Sequence, residues 1–102
     1  MIDSVTDGIH VLHVPEKHRY EIRDGEELVG LTQYRLPDDE HVDFIHTESS
    51  PEYAGQGLAA RLVTFALDDV RAQGKRIIPH CPYVAGYIRK HPEYEDITDW
   101  PA

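Results

Sequence analysis

Three short stretches carry residue types that can do chemistry. The first is Gly55-Gln56-Gly57-Leu58-Ala59-Ala60. Glycines ahead of a helix permit a tight turn and let backbone N–H groups approach an anion. The helix start adds unpaired donors and the positive end of its dipole. A pyrophosphate suits such a place, and so does a plain helix start whose glycines serve only the turn. The second stretch is His80-Cys81-Pro82. It falls at the carboxyl end of a short strand, and Cys81 opens a helix, where the dipole favours a thiolate. A small buried apolar cysteine is the ordinary alternative. A third group, His46-Thr47-Glu48, ends the strand before the glycine loop. There the backbone at Thr47 can meet a ligand, and His46 or Glu48 can line a polar pocket.

Several chemistries are tested by spacing. The loop matches G-x-G-x-x-A, a dinucleotide fingerprint that also wants an acid about 20 residues on. That region reads Lys75-Arg76-Ile77-Ile78-Pro79-His80, without an acid. A P-loop is excluded, because no Gly-Lys-Ser/Thr follows. Cys81, His46 and Glu48 can be drawn as a cysteine-hydrolase triad, but nothing in the sequence brings them together. His10, His13 and His18 lie near one another, yet no Cys/His spacing fits a structural zinc site, so no metal is expected. Tyr83, Tyr87, Tyr94 and Trp100 read mostly as packing, with Tyr83 and Tyr87 as candidates to line a cleft.

The elements that must position these residues are legible. Residues 9–14 read as an edge strand or arm, 18–23 as a short strand, Asp24-Gly25 as a hairpin turn and 27–36 as a strand blurred around Gly30. Residues 41–47 follow, with Val42, Phe44 and His46 on one face and Asp43, Ile45 and Thr47 on the other. The pattern then becomes helical over about 57–73, where Leu58, Leu62, Ala66 and Val70 recur every four residues and Gly74 is the stop. Residues 75–79 read as a buried strand and 82–91 as a helix beginning at Pro82. The order is β-β-β-β-α-β-α. The strands at 41–47 and 75–79 should lie parallel. The fold class is α+β, a mixed sheet in which an antiparallel meander precedes a β-α-β unit and a C-terminal helix. The glycine loop and Cys81 then share the carboxyl ends of parallel strands, where such sheets bind ligands.

Composition bounds the rest. The 102 residues suit one domain spanning 1–102. A net charge of -9 argues against a nucleic-acid partner. Residues 1–51 carry 12 acidic and 4 basic side chains, whereas no acid falls between Lys75 and Pro92. A small anion is therefore better received in the second half. The single cysteine permits no internal disulfide, which fits a reducing compartment, and no apolar run suggests a signal or membrane segment. The expected location is cytoplasmic.

The residues also suggest a family. The meander, the Gly-Gln-Gly-Leu-Ala helix start, the strand and the final helix resemble the core of the GCN5-related N-acetyltransferases. The runs Phe44–Glu48, Pro51–Ala59, Pro79–Val84 and Tyr87–Tyr94 resemble its minimal single-domain branch, similar to N-acetyltransferase domain-containing protein 1. Cys-Pro-Tyr-Val and His-Pro-Glu-Tyr are the specific pieces, and the likeness spans about residues 18–97. It implies an acetyl-CoA-dependent N-acetyltransferase acting on a small-molecule or peptide amine. Coenzyme A pyrophosphate would sit on backbone N–H groups from Gln56 through Gly57, Leu58 and Ala59 to Ala60, with Arg61, Arg89 and Lys90 as phosphate contacts. The strands ending at Thr47 and Cys81 would splay, and the pantetheine arm would pair near Thr47. Two departures stand out. Ala54 replaces the usual Arg or Gln of the loop, and Arg89 stands where many members carry a tyrosine acid, four residues after Ala85. Cys81 becomes the candidate for chemistry, as proton donor to the coenzyme A thiolate or as acyl acceptor. The other expectation is a coenzyme A-binding or protein-interaction module without catalysis.

Overall fold

A computed structural model describes residues 8–53 and 56–102. Ala54 and Gly55 of the glycine loop lie outside the described residues. Five strands, β1 (Ile9–Val14), β2 (Arg19–Asp24), β3 (Glu27–Arg35), β4 (His41–Ser49) and β5 (Arg76–Pro79), form one sheet in chain order. The first three junctions are antiparallel, and β4 pairs parallel to β5. Helix α1 (Leu58–Ala72) makes the crossover, and α2 (Pro82–Lys90) follows β5. The expected α+β order is thus observed, with residues 9–14 a true edge strand.

The four-residue apolar recurrence in α1 explains its burial. Leu58, Leu62, Val63, Ala66, Leu67 and Val70 enter one core with Val84 and Ile88 of α2 and Ile22, Phe44 and Ile77 of the sheet. Both helices therefore share one face of the sheet. The other face carries Arg19, Glu21, Arg23, Gln33, Arg35, Asp43 and Glu48, by register with one another, and neither helix covers it. Such one-sided cover is what an antiparallel meander tolerates.

Two irregularities shape β3 and β4. The first falls at Gly30, where the register shifts against Ile22/Arg23. A Cβ there would meet Ile22 Cγ2 at 2.9 Å and the Glu48 carbonyl oxygen at 3.1 Å, so the strand needs a glycine. The second corrects the strict alternation expected over 41–47. Tyr34 faces Phe44 but Gln33 faces His46, which leaves Ile45 as an extra residue, a β-bulge. Beyond it the faces exchange. Thr47, opposite Thr32, joins the helix-covered face of Phe44, and His46 moves to the uncovered face. The hairpin loop is Gly25-Glu26, one residue later than the Asp24-Gly25 signal, with Gly25 at φ +59°.

A segment with no expected structure closes the far edge. After a 3-10 turn over Pro92–Ile97, Thr98 bridges Ile77 and the Asp99 N–H donates to the Ile77 carbonyl at 2.8 Å. Under α1, Tyr20 donates to Asp69 at 2.6 Å while His13 stacks on the Tyr20 ring. Burial lowers the His13 pKa and, together with Asp69, pushes the Tyr20 hydroxyl far above its usual value.

Candidate active site

Pairing between β4 and β5 ends at Phe44 and Pro79. The chain then leaves β5, the Cys81 N–H donates to the Phe44 carbonyl at 2.8 Å, and α2 begins. Meanwhile β4 runs on to Ser49, two residues past the expected end. Beyond Phe44 the bulged Ile45 is unpaired and His46 to Ser49 pair with β3 alone, so the two parallel strands part just where their carboxyl ends meet the two helix starts.

The bulge decides what faces this parting. Thr47 reaches back toward Cys81, with Oγ1 to Sγ at 3.3 Å, and its hydroxyl also meets Thr32 Oγ1 at 2.9 Å. Cys81 is only 3% exposed. His46 and Glu48 bond each other at 2.8 Å on the opposite face. A Cys81/His46/Glu48 triad is therefore absent, because the sheet itself stands between its members. Glu48 instead lines a second cavity of about 360 Å³ with residues 28–31 and 49–51.

On the helix face, a cleft of about 360 Å³ opens between the first turn of α1 and one side of α2. Ala60, Tyr83, Gly86, Tyr87 and Lys90 line it. Burial, then the neighbouring Tyr87, holds the Tyr83 phenol above its usual pKa. Tyr87 is tied to Thr64 by a hydroxyl–hydroxyl bond and stacks on His91. Gly57 caps α1 at φ +71° with no atom near the place of a Cβ. Having no side chain, it leaves the first-turn N–H groups uncapped at the mouth of the cleft.

The sequence-derived binding residues divide. Gly57, Ala59 and Ala60 present backbone at the helix start, Leu58 does so with its side chain in the core, and Lys90 lines the cleft. The Gln56 N–H donates instead to the Tyr53 carbonyl at 3.3 Å. Arg61 reaches the Ile9 carbonyl at 3.2 Å, and Arg89 lies over the Trp100 ring, 4.9 Å from its centre. The sequence reading missed the Thr32–Thr47–Cys81 chain, since no local signal announces a bulge.

The family model for GCN5-related N-acetyltransferases matches residues 19–97. The chain belongs to this family. No curated protein matches it. Among solved structures it is similar to a GCN5-like protein from Staphylococcus aureus, at 21% identity and TM-score 0.73, over 95% of this chain and 94% of that one. It is also similar to Ard1 from Thermoplasma volcanium, at 14% identity and TM-score 0.55, over 78% of this chain and 55% of that one. A GNAT-family protein from Desulfovibrio desulfuricans gives 18% identity and TM-score 0.53, over 84% and 54%. The chain spans about half the length of the latter two. These likenesses carry the fold. For this GCN5-related chain they agree with a mixed α+β sheet of five strands. Among the described residues no helix is long and apolar enough to cross a membrane.

Proposed function

We propose that this chain is an acetyl-CoA-dependent N-acetyltransferase acting on an amine, with residues 1–102 serving as one acetyl-CoA-binding unit. The observation that carries the reading is the parting of β4 and β5 beside the α1–α2 cleft. It sets an anion-attracting helix start, a strand edge that β5 leaves beyond Phe44 and a thiol at one end of the β-α-β unit. The residues present fit coenzyme A. The N–H groups of Gly57 to Ala60 suit the pyrophosphate, and Lys90 is the lysine on the cleft wall. Arg61 and Arg89 are weaker candidates for phosphate, because each already has a partner. The β4 edge near Thr47 suits the pantetheine amides, as an added strand.

Within this reading Cys81 is the group beside the thioester, and it acts as proton donor to the departing thiolate. Its hydrogen-bond neighbour is the Thr47 hydroxyl rather than a cation. A thiolate nucleophile usually has a cation beside it.

Thermal unfolding with coenzyme A, acetyl-CoA and NADH, each near millimolar, tests the proposal. A ligand at about 100 times its dissociation constant stabilises by about 2.7 kcal/mol. In a domain of this size that raises Tm by about 10 °C or more. The expected result is a rise with both coenzyme A species and none with NADH. No rise with any of the three would reject the reading.

A further inference from the structure

We infer that His80 is the general base that takes the proton from the acceptor amine, with Asp43 as its positioning residue. This rests on the acetyltransferase reading above.

His80 follows β5, next to Cys81, but its ring turns to the uncovered face of the sheet. There Nδ1 lies 2.7 Å from Asp43 Oδ1. The other carboxylate oxygen accepts from Arg35 Nε at 2.8 Å. Asp43 is 2% exposed, whereas the His80 side chain is 45% exposed. An ionised carboxylate can only accept, so the proton of the neutral ring sits on Nδ1 and the lone pair on Nε2. No described residue bonds Nε2. This is the orienter-and-base arrangement that acyl transfer uses.

The other histidines of the described residues lack it. His46 pairs with Glu48, and His91 with Glu93, where both members of each pair are exposed. Such pairs hold no fixed geometry. His41 bonds Asp38 and Asp99 through its two nitrogens, and His13 is held between Tyr34 and Asp69. His10 is near the Gly8 carbonyl, and His18 stacks on Tyr34. Only His80 joins a buried carboxylate on one nitrogen to an open second nitrogen.

Its place suits the role. The helix face of the parting is occupied by the cleft proposed for coenzyme A, so an amine must arrive from the other face, where His80 stands at the end of β5. There the amine lone pair forms the C–N bond to the thioester carbonyl carbon and its proton passes to Nε2. The C–S bond breaks with its electron pair on sulfur, and the thiolate takes the Cys81 proton. The imidazolium then gives up its proton and the Cys81 thiolate regains one, through solvent.

The test measures free thiol released from acetyl-CoA with n-butylamine or hydroxylamine as acceptor. Wild type should turn over at least one probe. His80→Gln keeps a donor for Asp43 but offers no base, and should lose about a hundredfold in kcat. KM for acetyl-CoA and the thermal shift with coenzyme A should not change. His80→Ala should recover part of its rate in added imidazole. Asp43→Asn should lose less than His80→Gln, with the same unchanged KM. Turnover of His80→Gln within threefold of wild type overturns the inference, as does loss of coenzyme A binding in step with activity. Wild type that binds coenzyme A yet transfers to neither probe also overturns it, leaving the binding reading intact. Absence of coenzyme A binding removes both.

Discussion

Cys81 and Thr47 are brought within 3.3 Å by a bulge two residues before Thr47. If Cys81 supplies the proton to the leaving sulfur, Cys81→Ala should lose acetyl transfer while keeping the thermal response to coenzyme A. Undiminished turnover would remove the role. Two glycines differ in what they require. Gly57→Ala meets open space but places a side chain at φ +71°, a strain of about 1 kcal/mol that a denaturant midpoint should register. Gly30→Ala meets a side chain at 2.9 Å and backbone at 3.1 Å, and should cost more, about 1–3 kcal/mol. Equal midpoints for the two variants would contradict the packing argument.

At the scale of elements, β4 sets the site. Asp43 and Phe44 pair on both edges, and the residues beyond the bulge on one. The bulged Ile45 lets Phe44 fill the core and Thr47 still face Cys81. Deleting Ile45 would keep both residues on the helix face, because ordinary alternation would then supply what the bulge now supplies. What would go is the kink that helps part β4 from β5. The shortened protein is expected to fold, by circular dichroism, with a weakened response to coenzyme A. An unchanged response would show that the parting does not depend on the bulge. The meander, α1, β5 and α2 were legible from period and punctuation, whereas the bulge was not. Phe44-Ile45-His46-Thr47 alternates as well as any regular strand. The extra residue exists only against Tyr34 and Gln33 of the neighbouring strand.

At the scale of the whole molecule, charge ties the C-terminal segment to the sheet. His41 lies between Asp38 and Asp99, and Arg76 holds Asp99 through two bonds of 2.7 and 2.9 Å. Hydrogen bonds donated to Asp38 and Asp99 raise the His41 pKa, and those received from Arg76 and His41 hold the Asp99 carboxyl well below its usual range. A raised pKa means that the folded state holds its proton more tightly. The His41 contribution is thus full below the ordinary imidazole value of about 6.5 and is lost as pH rises through the raised value. His13 acts in the opposite sense, since burial lowers its pKa and acidification below about 6.5 costs stability. The difference in Tm between wild type and His41→Asn cancels the His13 effect. It should be largest near pH 5, where the aspartates are still ionised, and shrink by about pH 8. A difference independent of pH would mean that the His41 contacts act by packing alone.

The sequence by itself determined which segments become strands and helices, because period and turn residues are local properties. It also placed the glycine helix start and Cys81 at one end of the β-α-β unit, because chain order and parallel pairing leave no other arrangement. Tertiary structure decided which side chains meet there. It separated His46 and Glu48 from Cys81 by the thickness of the sheet, and it turned Arg89 onto Trp100. It also joined Asp43 to His80, 37 residues apart. Each of these depends on register between strands or on packing of distant segments, which one residue's shift can reverse and no local pattern records.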